Sequence, residues 1–155
     1  TTFVIRVPFK IDLDADKREE QKDVSEKSIK GLHILLAEDN ELNMEIAEFM
    51  LQNEGADVTK AWNGREAVEI FRKSEPDEFD VILMDIMMPI MNGYEATKMI
   101  RSLEREDAKT IPIIAMTANA FTEDRLKAKE AGMDEHIAKP VDPELLVKVI
   151  YESVD

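Results

Sequence analysis

The sequence predicts a doubly wound α/β protein with a mostly parallel sheet of five strands and five helices. Three observations predict it. From Gly31 onward, short apolar runs alternate with amphipathic stretches, the pattern of repeated strand–helix units joined by right-handed crossovers. Three of the apolar runs are almost continuous, as strands covered on both faces must be. Four runs are each followed by a residue that can do chemistry: Asp39, Asp85, Thr117 and Lys139.

The first strand is His33 to Ala37, and Asp39 follows it. Leu42, Ile46, Ala47, Met50 and Leu51 step by three or four, so residues Asn40 to Asn53 read as a helix with that stripe buried and Gly55 as its C-terminal cap. Val58 to Ala61 is a short second strand, and Ala67, Val68 and Phe71 mark a helix after Asn63-Gly64. Strand three is Val81 to Asp85. A third helix begins near Asn92-Gly93, with Ala96, Met99, Ile100 and Leu103 as its stripe. Strand four is Ile113 to Met116. A polar fourth helix runs from Thr122, its N-cap, to Ala131, with Gly132 just beyond. Strand five is His136 to Ala138. The last helix opens at Asp142-Pro143, a cap followed by proline at the first helical position, and buries Leu145, Leu146, Val149 and Ile150. Strands two and five are the shorter and more polar ones and belong at the edges. The strand order is then 2-1-3-4-5, the flavodoxin-like arrangement, with its switch point between strands one and three.

Composition sets further bounds. A chain of 155 residues has room for one domain with a full core. It contains no cysteine, which excludes disulfides and thiolate metal sites and fits a cytoplasmic setting. No apolar run approaches the ~20 residues of a membrane span. The net charge of −14 opposes both nucleic acid and an anionic lipid surface, so neither is expected as a partner. The charge is uneven. Residues 1–30 hold seven acids and seven bases, and residues 31–155 carry the whole excess. Within the neutral part, Phe3, Ile5, Val7 and Phe9 alternate with Val4, Arg6, Pro8 and Lys10, the period of a half-buried strand. The charged stretch that follows reads as a linker, giving divisions at 1–10, 11–30 and 31–155. An apolar strand without a domain around it must pack somewhere, and a second copy of the chain is one expected place.

Strand ends of a parallel sheet emerge on one edge, where ligands bind. Asp39 and Asp85 end the two strands that flank the switch point, and Glu38 adds a third carboxylate. Mg²⁺ takes an octahedron of oxygens with one or two carboxylates, leaving places for water and phosphate oxygens. Glu38, Asp39, Asp85 and the backbone carbonyl near Met87 form such a set, for Mg²⁺ or Mn²⁺. A carboxylate can also act as a nucleophile and form an aspartyl phosphate. Lys139 is a point charge suited to a phosphoryl oxygen, and Thr117 offers a hydroxyl to another. Taken one at a time, each of these is more often a cap, a turn residue or a solvated lysine. Four of them at four strand ends make the joint functional reading the stronger one.

With Leu35-Leu36-Ala37-Glu38-Asp39-Asn40, Met84-Asp85-Ile86-Met87-Met88-Pro89-Ile90-Met91-Asn92-Gly93-Tyr94-Glu95, Met116-Thr117-Ala118-Asn119-Ala120 and Ala138-Lys139-Pro140 in order, residues 32–152 resemble a response-regulator receiver domain of two-component signalling. The resemblance implies that Asp85 is the phosphoacceptor, that Glu38 and Asp39 are the acidic pair for the metal, and that Thr117 and Lys139 sense the phosphoryl group. It also implies a cis Lys139-Pro140 bond, which proline makes accessible. The chain departs from the pattern twice. Glu38 stands where many relatives have Asp. His136 stands where the family usually has a Tyr or Phe that swings inward, and it reads either as a half-exposed edge-strand histidine or as an altered, pH-sensitive switch. Thr1 to Phe9 resembles the last strand of a histidine-kinase ATP-binding domain. The expected parent is therefore a hybrid sensor histidine kinase, either free or membrane-anchored, with its receiver at the C-terminus. Expected partners are that kinase or a histidine phosphotransfer protein. A dimer through the N-terminal strand at Thr1 to Phe9, or through the face made by the fourth helix, fifth strand and last helix, is a further expectation.

Two other function classes fit the sequence less well. An aspartate-nucleophile phosphatase normally has a second carboxylate two residues after its nucleophile, and here that position is Met87. A nucleotide-binding module would need a G-x-G-x-x-G or G-x-x-x-x-G-K-[ST] loop after strand one, and none is present. An inert interaction module would have no use for the acidic pair.

Overall fold

The computed structural model describes residues 28–118 and 122–154. Five parallel strands form one sheet in the order β2-β1-β3-β4-β5. They are β1 (His33–Ala37), β2 (Asp57–Ala61), β3 (Val81–Asp85), β4 (Ile113–Thr117) and β5 (Glu135–Ala138). The helices are α1 (Glu41–Asn53), α2 (Gly64–Lys73), α3 (Gly93–Arg101), α4 (Glu106–Thr110), α5 (Thr122–Ala131) and α6 (Pro143–Val154). The expected strand order is thus the observed one. Register places Ala37 opposite Met84, Asp85 opposite Met116 and Thr117 opposite Ala138, which aligns the carboxyl ends of β1, β3, β4 and β5. The strand expected at Thr1–Phe9 and most of the linker lie outside the described residues, as does Asn119.

Alternation along the strands sorts side chains into two cores. Leu35, Ala37, Ile82, Met84, Ile113 and Ala115 face α2, α3 and α5, where Phe71, Ile100 and Ala128 meet them. Ile34, Leu36, Val81, Leu83, Ile114 and Met116 face α1 and α6, where Met44, Leu51, Leu146 and Ile150 meet them. Three of the helices begin alike. Asn40, Asn63 and Asn92 each accept a hydrogen bond from the backbone N–H three residues on, at 3.0, 2.8 and 2.9 Å. Such caps satisfy one of the donors that every helix start leaves open.

The structure corrects the sequence reading in four places. On α1 the buried residues are Met44, Ala47 and Leu51, while Leu42 and Ile46 of the expected stripe are exposed, together with Phe49. The helix carries two apolar stripes, and stepping by three or four does not say which one meets the sheet. Leu145 on α6 and Met99 on α3 are likewise exposed, one position off the stripes formed by Leu146 with Ile150 and by Ala96 with Ile100. The short helix α4 was not expected, because Glu-Asp-Ala-Lys-Thr is too brief to show a period. It is held by Arg105, whose guanidinium lies 4.5 Å over the Phe71 ring and donates to the carbonyls of Phe71 and Ser74, at 2.8 and 3.0 Å, at the end of α2. Asp107 closes the group with paired contacts of 2.6 Å to Arg105.

The fourth correction concerns the domain start. Ile29, assigned to the linker, has no exposed surface and packs with the α1–α6 core. Gly31 N–H donates to Gly55 O at 2.9 Å and continues the tether. The packed unit therefore includes Ile29, two residues before the expected boundary. Ile29→Ala should destabilise the fold by about 2–4 kcal/mol in urea unfolding; a true linker position would leave the midpoint unchanged.

Candidate functional site

The site lies beyond the carboxyl edge of the sheet at the β1–β3 switch point. The chain leaves β1 under control of two bonds: Glu38 N–H donates to Ala61 O at 3.0 Å, and Asn40 N–H donates to Glu38 Oε1 at 3.2 Å. Because Asn40 also caps α1, the Glu38-Asp39 pair is fixed between a strand end and a helix start. Asp85 is the last residue of β3. Glycine is needed just beyond it: a Cβ on Gly93 would run into the Asp85 carbonyl oxygen, and Gly93 N–H donates to Ile86 O at 2.9 Å. The amino end of α3 thus rests directly on the backbone of the predicted phosphoacceptor.

One carboxylate oxygen from each of Glu38, Asp39 and Asp85 lies within 4.8 Å of the others. Glu38 and Asp85 are buried, at 2% and 4% exposure, while Asp39 is open to solvent. Lys139 reaches in just before the cis Lys139-Pro140 bond. Its Nζ lies 2.7 Å from Glu38 Oε2 and 3.2 Å from Asp85 Oδ2. Thr117, also buried, ends β4 beside them, and its carbonyl accepts from Lys139 N–H at 2.8 Å. Four of the residues singled out in the sequence, Glu38, Asp39, Asp85 and Lys139, therefore converge, with Thr117 at the adjoining strand end. Met87 sits at the rim, its N–H 3.4 Å from Asp85 Oδ1 and its side chain 75% exposed. His136 stands within β5 opposite Ala115, half-buried, and lines an open cleft of about 450 Å³ together with Arg125 and Lys129.

Charge in this cluster does not balance. Two buried carboxylates share one ammonium. Burial pushes the Asp85 carboxyl up to about 7; the neighbouring Glu38 charge adds to the rise, and Lys139 opposes it. Burial alone would lower the Lys139 ammonium, but its bond to Glu38 and the charges of Asp85 and Glu38 outweigh that and shift it upward. The missing positive charge can be supplied by a proton on Asp85 or by a divalent cation. Oxygen donors alone, three carboxylates of which one is solvent-exposed, suit a hard cation that keeps its waters. The donor set therefore fits Mg²⁺.

Two features of the loop after β3 escaped the sequence reading. Gly93 showed only as a helix start, although its lack of a side chain is what lets α3 meet Asp85. Ile90 has φ 70° and is 75% exposed. Met91 N–H donates back to Pro89 O at 2.7 Å across it, closing a three-residue turn of the strained, positive-φ kind. A β-branched residue there costs roughly 1–3 kcal/mol. The turn is held because Met91 O accepts from Gly64 N–H at 3.0 Å, at the start of α2.

Residues 34–151 match the family model for the response regulator receiver domain. The chain belongs to that family. Among solved structures, the receiver domain of sensor histidine kinase PA1611 from Pseudomonas aeruginosa PAO1 is 38% identical with a TM-score of 0.73, covering 80% of this chain and 98% of that one. It holds a magnesium ion in its active-site cleft. The receiver domain of Ssk1 from Saccharomyces cerevisiae, solved with the histidine phosphotransfer protein Ypd1, matches at 31% identity and a TM-score of 0.73, over 81% of this chain and 90% of that one. Hybrid signal transduction histidine kinase I of Dictyostelium discoideum is 42% identical over 78% of the chain, and Histidine kinase 1 of Arabidopsis thaliana 37% over 81%. The chain spans only 7% and 13% of the lengths of those two kinases.

Two outcomes are expected of this receiver domain. An Asp85 carboxyl raised above the ordinary ~3.9 stabilises the fold while protonated in both states, and that contribution drains away as pH rises through about 7. In chelator, Asp85→Asn should therefore melt progressively higher than the wild type as pH goes from 5 to 8; a constant difference would show that Asp85 does not titrate there. Gly93→Ala should disturb the end of β3 and weaken Mg²⁺ binding measured by calorimetry, whereas Asn92→Ala, a cap loss of about 1 kcal/mol, should lower stability alone.

Proposed function

We propose that this receiver domain is a phosphoacceptor: Asp85 takes a phosphoryl group from a phosphohistidine and the altered state is relayed onward. The observation that carries the reading is the buried Asp85 carboxylate held between an acidic pair and the Lys139 ammonium. An Asp85 oxygen attacks phosphorus, the phosphorus–nitrogen bond breaks, and the histidine ring leaves with the bonding pair, so that an acyl phosphate replaces a phosphoramidate. Asp85 must be ionised to attack, and the nearby Lys139 charge favours that form. Glu38, Asp39, Asp85 and the Met87 carbonyl would hold Mg²⁺ or Mn²⁺. When bound, the ion neutralises carboxylate repulsion and the charge on the phosphoryl oxygens. Lys139 is placed to exchange its carboxylate contact for a phosphoryl oxygen, and Thr117 to offer its hydroxyl to another. Placed at the edge of the α5–β5 cleft, His136 would then report the change to a partner.

The similarity to hybrid histidine kinases supports a parent of that kind, with a kinase domain or a histidine phosphotransfer protein as the source or recipient of the phosphoryl group. No described helix is long and apolar enough to cross a membrane. Incubation with phosphoramidate and Mg²⁺ should add one phosphoryl mass to the wild type and none to Asp85→Asn, and chelation should abolish the labelling. Catalytic turnover of the donor without a labelled protein would support the phosphatase alternative, and no reaction at all the inert module.

A further inference from the structure

Methionine carries all of this chain's sulfur: there are nine methionines and no cysteine. Four of them, Met84, Met87, Met88 and Met91, fall between positions 84 and 91, around Asp85. Their surroundings differ. Met84 and Met88 are buried and Met91 is half-buried, but Met87 is 75% exposed, the most open of all nine; Met99 on α3 follows at 46%. The most accessible sulfur in the molecule therefore stands two residues past Asp85. The Met87 backbone is tied to the site, its N–H lying 3.4 Å from Asp85 Oδ1, while its side chain belongs to neither core. An exposed leucine would give the same apolar rim with no reactive atom.

Resting on the reading of Glu38, Asp39 and Asp85 as a Mg²⁺ site, we propose that Met87 is a methionine-oxidation site, at which a hydroperoxide installs a sulfoxide oxygen that strengthens the hold on Mg²⁺. A sulfur lone pair attacks one peroxide oxygen, the O–O bond breaks, and the remainder of hydrogen peroxide leaves as water. Sulfur gives up two electrons, the peroxide takes them, and one S–O bond forms. A soft atom with no preference for Mg²⁺ thus becomes a hard oxygen acceptor. The change falls beside two buried carboxylates that share one ammonium, where a hydrated cation supplies the missing charge. On an unbranched side chain with three rotatable bonds, the new oxygen can accept a hydrogen bond from a water that the cation keeps. Being neutral, it adds no further carboxylate repulsion. Sulfoxide reductases reverse the oxidation, one enzyme for each epimer, so the change is a setting that can be undone.

The test treats the folded protein with hydrogen peroxide in chelator, maps the oxidised methionines by peptide mass, and then measures Mg²⁺ binding by calorimetry. Met87 should gain one oxygen first, ahead of Met99, with Met84 and Met88 unmodified. Mg²⁺ should then bind about threefold more tightly, the scale of one added hydrogen bond. Treatment with both sulfoxide reductases should restore the starting affinity. Met99→Leu should respond to peroxide as the wild type does, whereas Met87→Leu should show one affinity before and after treatment. Oxidation of Met99 or of a buried methionine ahead of Met87 overturns the proposal. So does an affinity that oxidation leaves unchanged or weakens, or a shift of equal size in Met87→Leu, which would place the effect at another sulfur. If the reduced wild type binds no Mg²⁺, the reading of the site as a cation centre itself falls, and this one with it.

Discussion

Lys139 is one ammonium serving two buried carboxylates, and much of the structure exists to keep that shortage in place. Burying a charged group is costly unless it is paired, and here the pairing is deliberately incomplete. Glu38 and Asp85 come from adjacent strands, so the sheet itself holds them together against their repulsion. Asn40 pins the first by capping α1, and Gly93 lets α3 press on the backbone of the second. A site held this way has a standing demand for positive charge. A proton, a divalent cation, or a chemical change that removes the Asp85 charge each answers it. That demand is what makes the arrangement able to hold more than one state.

The same shortage bears on Asp85, the proposed nucleophile, which sits at a strand end rather than on a mobile loop. Its carboxylate must be close enough to Lys139 to be felt and yet must not be permanently neutralised by it. The separations of 2.7 Å to Glu38 and 3.2 Å to Asp85 make Glu38 the tighter partner of the ammonium. Asp85 is left the less satisfied of the two buried acids. A group that is poorly satisfied in the resting state is the one with most to gain by reacting or by binding a cation.

Much of this was legible in the sequence, for particular reasons. Ala67, Val68 and Phe71 mark their helix with no competing stripe, and all three are buried on it. Strand order followed from which runs were continuous and which were mixed. Glu38, Asp39, Asp85 and Lys139 were identifiable because a parallel sheet sends strand ends to one edge whatever the details. The face of α1 was not legible, because Leu42, Ile46 and Phe49 mimic a core stripe while Met44, Ala47 and Leu51 form the real one. Nor was Ile29, a single apolar residue at the end of a charged run whose burial depends on contacts with distant elements. The backbone turn at Ile90 left no trace at all, since isoleucine is a residue one would not choose for it.

The sheet also divides the interior into compartments that share no side chain. Ile86 and Met88, just after the end of β3, belong wholly to the compartment with α2, α3 and α5. The layer formed by α1, α6 and Ile29 lies across the barrier of the strands. Substitutions placed in opposite compartments and well apart should therefore combine close to additively. Repacking the layer that contains Ile29 should therefore leave the layer in which Ile86 and Met88 sit little disturbed. The interior that receives the chain at Ile29 and the interior that braces the loop after β3 are thus separate, and a change in one need not reach the other.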